Sequence, residues 1–164
     1  MRKLCVLMSV LTLMVLLYAC SGSKEARTSK KNIDGTWLLQ GISFEGLSGK
    51  LKAQVLDEAD YQCFENSTWK FNQNTSLGSY EIVKNGGSCV AKLQNFRWSI
   101  FEEKGMPIQV QFKKVDAKYY KPIDEAKSGY RLKITSVSKE SMQLKSEILF
   151  EGKPAFLVYN FIKK

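Results

Sequence analysis

The chain has 164 residues, 44% of them hydrophobic and 12% aromatic, and its 25 Lys and Arg against 16 Asp and Glu leave a formal charge of +9. It contains no histidine, which excludes Ser-His-Asp and Cys-His nucleophilic sites and the usual zinc sites. Carboxylate or lysine chemistry stays formally open, but no spacing singles out groups such as Glu81 or Asp124, so the expectation is a non-enzymatic protein with no cofactor and no metal.

At the N-terminus, Arg2 and Lys3 precede an apolar run from Leu4 to Ala19 that is broken only by Ser9, Thr12 and Tyr18 and is followed by Ser21-Gly22-Ser23-Lys24-Glu25. This is the layout of a cleavable signal helix, and the run falls short of the roughly 20 apolar residues a spanning helix needs. Leu17-Tyr18-Ala19-Cys20 resembles the bacterial lipobox, with Tyr18 bulkier than is usual there. The resemblance implies cleavage before Cys20, diacylglycerol on its sulfur and acylation of the new amino terminus, with palmitate-type chains. More than one such chain anchors a protein stably. Residues 1–19 are thus expected to be a signal peptide and residues 20–32 a lipidated flexible tether, polar and without apolar periodicity. Residues 33–164 are expected to be one domain. The expected location is the cell envelope, lipid-anchored to the outer membrane on its periplasmic or surface face.

Cys5 leaves with the signal and Cys20 is taken by lipid, so Cys63 and Cys89 are the thiols of the mature domain. In an oxidising compartment a disulfide between them is the default, stabilising the fold by about 3.5 kcal/mol in the chain-entropy description. A metal or redox pair is the weaker alternative, because the two lack close Cys-x-x-Cys spacing. Removing Arg2 and Lys3 lowers the basic residues from 25 to 23 against 16 acids, leaving +7. Such a surface suits anionic headgroups, lipopolysaccharide phosphates or acidic partners, and also solubility. Nucleic acid is not an expected partner, since the lysines are scattered among strands.

The folded part opens with Gly35 to Phe44, apolar on both faces. Leu47, Leu51, Val55 and Ala59 then recur every four residues and predict a helix face. Within that stretch Asp57-Glu58-Ala59-Asp60 reads as a solvated acidic helix face, without the spaced ladder and glycine of a calcium loop. From Trp69 onward the pattern has a period of two. Trp69 with Phe71, Tyr80 with Ile82, and Phe96, Trp98 and Ile100 mark three strands; Ile108, Val110 and Phe112 mark another. Tyr130, Leu132 and Ile134 and then Met142, Leu144 and Ile148 form a predicted hairpin around Ser138-Lys139-Glu140, and Pro154 to Ile162 closes the set. Asn85-Gly86-Gly87 and Lys104-Gly105 supply turns. Asp116 to Ser128 is the long connection, a candidate flap or rim. Eight short strands favour an all-β, antiparallel up-and-down barrel or a sandwich, with one short helix after the first strand.

Asn32-Ile33-Asp34-Gly35-Thr36-Trp37, then Cys63 followed by Trp69-Lys70-Phe71, and the strand count together resemble the lipocalin-like lipoproteins of Bacteroidetes-type bacteria. The resemblance spans Ile33 to Lys163. It implies that Gly35 and Trp37 form the barrel-end motif, with the tryptophan plugging one end. The terminal strand lacks the arginine that stacks on that tryptophan in many lipocalins, and only Lys163 and Lys164 stand near; no Thr-Asp-Tyr motif is present.

If the apolar face points inward, the lumen is lined by Trp69, Phe71, Tyr80, Trp98, Phe112, Tyr130 and Leu132, together with Ile82, Phe96 and Leu144. An eight-stranded barrel either fills with side chains or holds one small ligand. Two readings therefore stand: a tethered carrier of a small hydrophobic, lipid-like molecule, or a non-catalytic interaction or inhibitor module of an envelope complex with a filled barrel.

Overall fold

Each period-two segment becomes a strand in a computed structural model that describes residues 22–46, 52–118, 120–123 and 129–164. In chain order the elements are α1 (Lys24–Ile33), β1 (Gly35–Glu45), β2 (Gln54–Val55), β3 (Ala59–Asp60), α2 (Tyr61–Phe64), β4 (Thr68–Asn72) and β5 (Leu77–Ile82), followed by β6 (Lys92–Phe101), β7 (Gln109–Val115), β8 (Tyr130–Val137), β9 (Ser141–Phe150) and β10 (Lys153–Lys163). From β4 to β10 each strand pairs antiparallel with the next, and β1 closes the ring by pairing with both β10 and β4. The result is a closed eight-stranded up-and-down barrel, with β2 and β3 a separate two-stranded hairpin.

Alternation sets which side chains fill the lumen. Along β6, Gln94, Phe96 and Trp98 are buried, while Leu93 and Arg97 on the other face are exposed and Asn95 is half-buried. Register then stacks large residues in layers: Trp37 lies opposite Trp69, and Trp69 opposite Tyr80. Gly78, opposite Phe96, makes room for that ring, because a Cβ there would lie 2.3 Å from Phe96 Cε2 and 2.5 Å from the Lys70 carbonyl.

Two expectations change. The stretch expected to be a flexible tether contains α1 over Lys24–Ile33. Ser23 Oγ caps it by accepting from the Ala26 N–H at 3.0 Å, Glu25 lies in its first turn and Lys30 and Lys31 in its last. These placements satisfy free amides and oppose the helix dipole. Its buried face is Ala26, Ser29 and Ile33, a stripe too small and too polar to read as an apolar period. The helix expected between Leu47 and Ala59 is also absent from its described part; Leu47 and Leu51 lie outside the described residues. Val55 and Ala59 instead pair across the β2–β3 hairpin, whose turn residues Leu56 (φ 55°) and Asp57 (φ 51°) are left-handed. The short helix comes later, as α2, where Asp60 Oδ1 accepts from the Gln62 N–H at 3.0 Å.

Cys63 on α2 and Cys89 in the β5–β6 connection are joined by a disulfide. The signal helix and Cys20 lie outside the described residues.

Candidate functional site

Of the seven residues expected to line the lumen, Trp69, Phe71, Tyr80, Trp98, Phe112 and Leu132 lie in one buried cluster, and Tyr130 packs against it. The Trp69 ring centre lies 4.9 Å from Tyr80, 5.7 Å from Phe161, 5.9 Å from Phe96, 6.1 Å from Phe112 and 6.2 Å from Phe71. Phe71 meets Trp98 at 5.2 Å, and Phe112 meets Tyr130 at 5.4 Å. These are the separations of rings in direct contact. Trp69, Tyr80, Trp98, Phe112 and Leu132 are all at most 2% exposed. Both indole N–H groups turn to the wall, Trp69 donating to Ser67 Oγ at 2.9 Å and Trp98 to the Leu77 carbonyl at 3.2 Å. The middle of the barrel is thus filled by its own aromatic side chains.

One end, here the narrow end, closes on Trp37. Its indole N–H donates to the Ile33 carbonyl at 2.7 Å, which ties the ring to the last turn of α1. Lys163 Nζ lies 4.2 Å from the ring centre and donates to the Asp34 carbonyl. Lys163 thereby supplies the cation over Trp37 that the terminal strand had seemed to lack. Burial pulls the Lys163 ammonium below its ordinary pKa, against the opposing pull of Asp34. Gly35 is required by its φ of +115°, and a Cβ there would also displace the Lys163 ammonium, 2.6 Å away.

The other end, the mouth, is covered by residues 52–66. Val55 (1% exposed) and Leu56 (7%) point in with Phe64 and Tyr61, and Tyr61 meets Phe44 edge-on at 5.0 Å. Polar groups fasten this cover. Glu58 reaches three strands at once: Oε1 lies 2.7 Å from Lys92 Nζ on β6, and Oε2 lies 3.0 Å from Lys114 Nζ on β7 and accepts from the Tyr80 hydroxyl on β5. The Leu56 carbonyl accepts from Lys114 Nζ and from the Tyr130 hydroxyl, each at 2.8 Å. Burial alone pushes the Glu58 carboxyl up; hydrogen bonds from Lys92, Tyr80 and Lys114, with the Lys114 charge, outweigh it and hold the group below the usual carboxylate range.

Reading Asp57 to Asp60 as a solvated helix face is therefore corrected. Asp60 caps α2, and Glu58 is half-buried and turned toward Lys92, Lys114 and Tyr80, so the acids share no face. The strand pattern places Lys114 on the inward-facing parity with Phe112 and Val110, which was the available signal for a buried cation. Nothing local to Glu58 announces its role. Midway along β10, the Tyr159 hydroxyl lies 3.1 Å from Ser146 Oγ on β9, and burial pushes its pKa up. Among the described residues no group of three or more His, Cys, Asp or Glu converges as a metal set.

No family model matches the chain, and no curated protein does. Among solved structures, the crystal structure of a lipocalin-like protein from Bacteroides uniformis is similar at 14% identity and TM-score 0.46, covering 81% of this chain and 99% of that one. Bovine odorant binding protein, in complex with a selenium-containing odorant, is similar at 12% identity and TM-score 0.43, covering 88% of this chain and 78% of that one.

Proposed function

We propose that the protein is a non-catalytic binding protein, held at the cell envelope by lipid on Cys20, whose mouth takes a small hydrophobic carboxylic acid. The observation that carries this reading is the Glu58 carboxylate, which sits between Lys92, Lys114 and the Tyr80 hydroxyl at the rim of an apolar barrel. Two ammonium groups and a phenol around one carboxylate form a receptor for a carboxylate, and in the closed state the cover supplies its own. Charge-assisted hydrogen bonds of this kind are roughly twice as strong as neutral ones, so an incoming acid exchanges one strong set for another. Its tail takes the space that Val55 and Leu56 vacate as the cover lifts. The filled middle of the barrel limits that tail to a short or bent one.

Displacement of a fluorescent fatty acid tests the proposal. The wild type is expected to bind the acid better than the matching alcohol. Glu58→Gln, which removes the internal competitor's charge, should raise affinity for the acid about tenfold, equivalent to 1.4 kcal/mol. Lys114→Met should abolish the preference for the acid. Equal binding of acid and alcohol, or no binding by either protein, sinks the reading. Cys20→Ala is expected to move the protein out of the membrane fraction, and retention there would remove the anchor from the proposal.

The ring-filled lumen favours a second reading, an anchored interaction module. Crosslinking from the Asp116 to Ser128 loop should then recover one dominant envelope protein.

A further inference from the structure

The buried stripe of α1 is Ala26, Ser29 and Ile33. Successive helical residues turn by about 100°, so the side opposite that stripe carries Lys24, Arg27, Thr28 and Lys31, and all four are exposed. Glu25, the acid of the first turn, lies on the flank of this basic ridge, and neighbours in sequence do not face each other on a helix. Lys30 is half-buried, with Nζ 5.9 Å from the Trp98 ring centre.

Alternate turns of an up-and-down barrel share an end, so the β6–β7 turn, the β8–β9 turn and Lys164 lie at the narrow end with α1. They add the exposed cations Lys104, Lys139 and Lys164. They also add Met106, 52% exposed in a turn closed by its own N–H donating to the Glu103 carbonyl. The Ser23 N–H donates to Glu102, which sets the start of α1 beside that turn and engages one of its acids; Glu103 and Glu140 are the other acids of the two turns. Toward the mouth the cations are matched instead: Lys84 with Glu65, Lys92 and Lys114 with Glu58, and Lys145 with Glu45. Among the described residues no ion pair holds Lys24, Arg27, Lys31, Lys104 or Lys139.

We infer that the narrow end is a docking face for an anionic lipid bilayer, with Lys24, Arg27 and Lys31 on the headgroups and Met106 entering the boundary beneath them. Each lysine or arginine close to an anionic membrane strengthens binding about fivefold. Three of them on one face act together here, because α1 packs against β6 and β8 and holds them in a fixed row. An apolar side chain among basic ones reaches past the headgroups, as interfacial segments do. The bilayer is the occupant because the chain before α1 leads to one: an apolar run ends at Ala19, and Cys20, the proposed lipid site, follows. In that respect the inference rests on the proposed anchor, but the face belongs to the folded domain and acts without acyl chains.

The experiment uses the whole mature protein with Cys20→Ala, which carries no lipid, in sedimentation with phosphatidylcholine vesicles with and without phosphatidylglycerol. Binding is expected to the anionic vesicles alone, and it is expected to be lost in 1 M salt, where the screening length is about 3 Å. Lys24→Gln with Arg27→Gln and Lys31→Gln should weaken it about a hundredfold while the melting temperature stays near that of the parent. Lys52→Gln with Arg97→Gln and Lys153→Gln removes the same charge from the mouth and the barrel side, and should weaken it by less than about fivefold. Trp37, Trp69 and Trp98 are all buried, so an indole added at the surface reports its own surroundings. The emission of Met106→Trp should shift to the blue on anionic vesicles, and that of Leu149→Trp, at the mouth, should not. Absence of vesicle binding, equal losses in the two triple variants, or a shift confined to Leu149→Trp overturns the inference. Fatty-acid displacement is expected to be the same in the α1 triple variant and its parent, and membrane retention of the lipidated protein is measured separately, which distinguishes failure here from failure of the proposed function.

Discussion

The two ends of the barrel are closed by different forces. At the narrow end Trp37 and Ile33, the last residue of α1, are both fully buried, and the Lys163 ammonium lies over the Trp37 ring. At the mouth a short hairpin with two left-handed turn residues is held by a carboxylate, two ammonium groups, two phenols and a backbone carbonyl. Apolar closure is non-directional and insensitive to pH. Polar fastening depends on a few exact partners and on their charge, and here it is added to a cover that also buries Val55, Leu56, Tyr61 and Phe64 and is joined to the β5–β6 connection by the Cys63–Cys89 disulfide.

That contrast is sharpest under substitution. Trp37→Ala should cost most, about 3 to 5 kcal/mol, seen as a lower denaturation midpoint with loss of hydrogen-exchange protection on both β1 and α1; a loss confined to α1 would mean the ring is not the keystone of that end. Glu58→Gln should cost roughly 2 kcal/mol, and faster exchange should appear in residues 52–66 while α1 stays protected. Acid should act in the same way. The Glu58 carboxyl is lowered in the folded state, so its contribution is complete above the ordinary value of 4.5 and is lost as the pH falls through the lowered folded value. The mouth is therefore expected to loosen before the narrow end in an acid titration, and simultaneous loosening would erase the distinction. Smallest is Lys163→Met, about 1 kcal/mol from the lost cation–ring contact, read as a modest fall in melting temperature with the mouth unaffected.

The barrel was legible because each strand carries its own signal: alternation at Phe96, Trp98 and Ile100, or at Tyr130, Leu132 and Ile134, reports a half-buried strand without reference to any other part of the chain. The disulfide followed from counting thiols. The cover was not legible, for two reasons. Val55 and Ala59 recur at helical spacing, yet they face each other across a turn whose Leu56 and Asp57 adopt a backbone that local propensity disfavours. Glu58 sits among acids and looks solvated; its partners Tyr80, Lys92 and Lys114 belong to strands that meet it only after the barrel closes. Helix α1 escaped for a different reason, since a face of Ala26, Ser29 and Ile33 buries well while carrying almost no hydrophobic contrast.

Helix α1 changes the mechanics of attachment. Its capping residue Ser23 donates its N–H to Glu102 Oε2 at 3.0 Å, just past the end of β6, so the chain is fastened to the barrel from that point onward. Cys20 stands four positions before Lys24, where α1 begins, and a fully extended chain covers about 3.5 Å per residue, so a lipid on that cysteine works on a leash on the order of 15 Å. Anchored as proposed, the molecule behaves as a short stalk with a fixed foot. On that proposal the narrow end would stay beside the bilayer and the mouth would face the aqueous side, with β6 the strand next to the point where α1 is fastened.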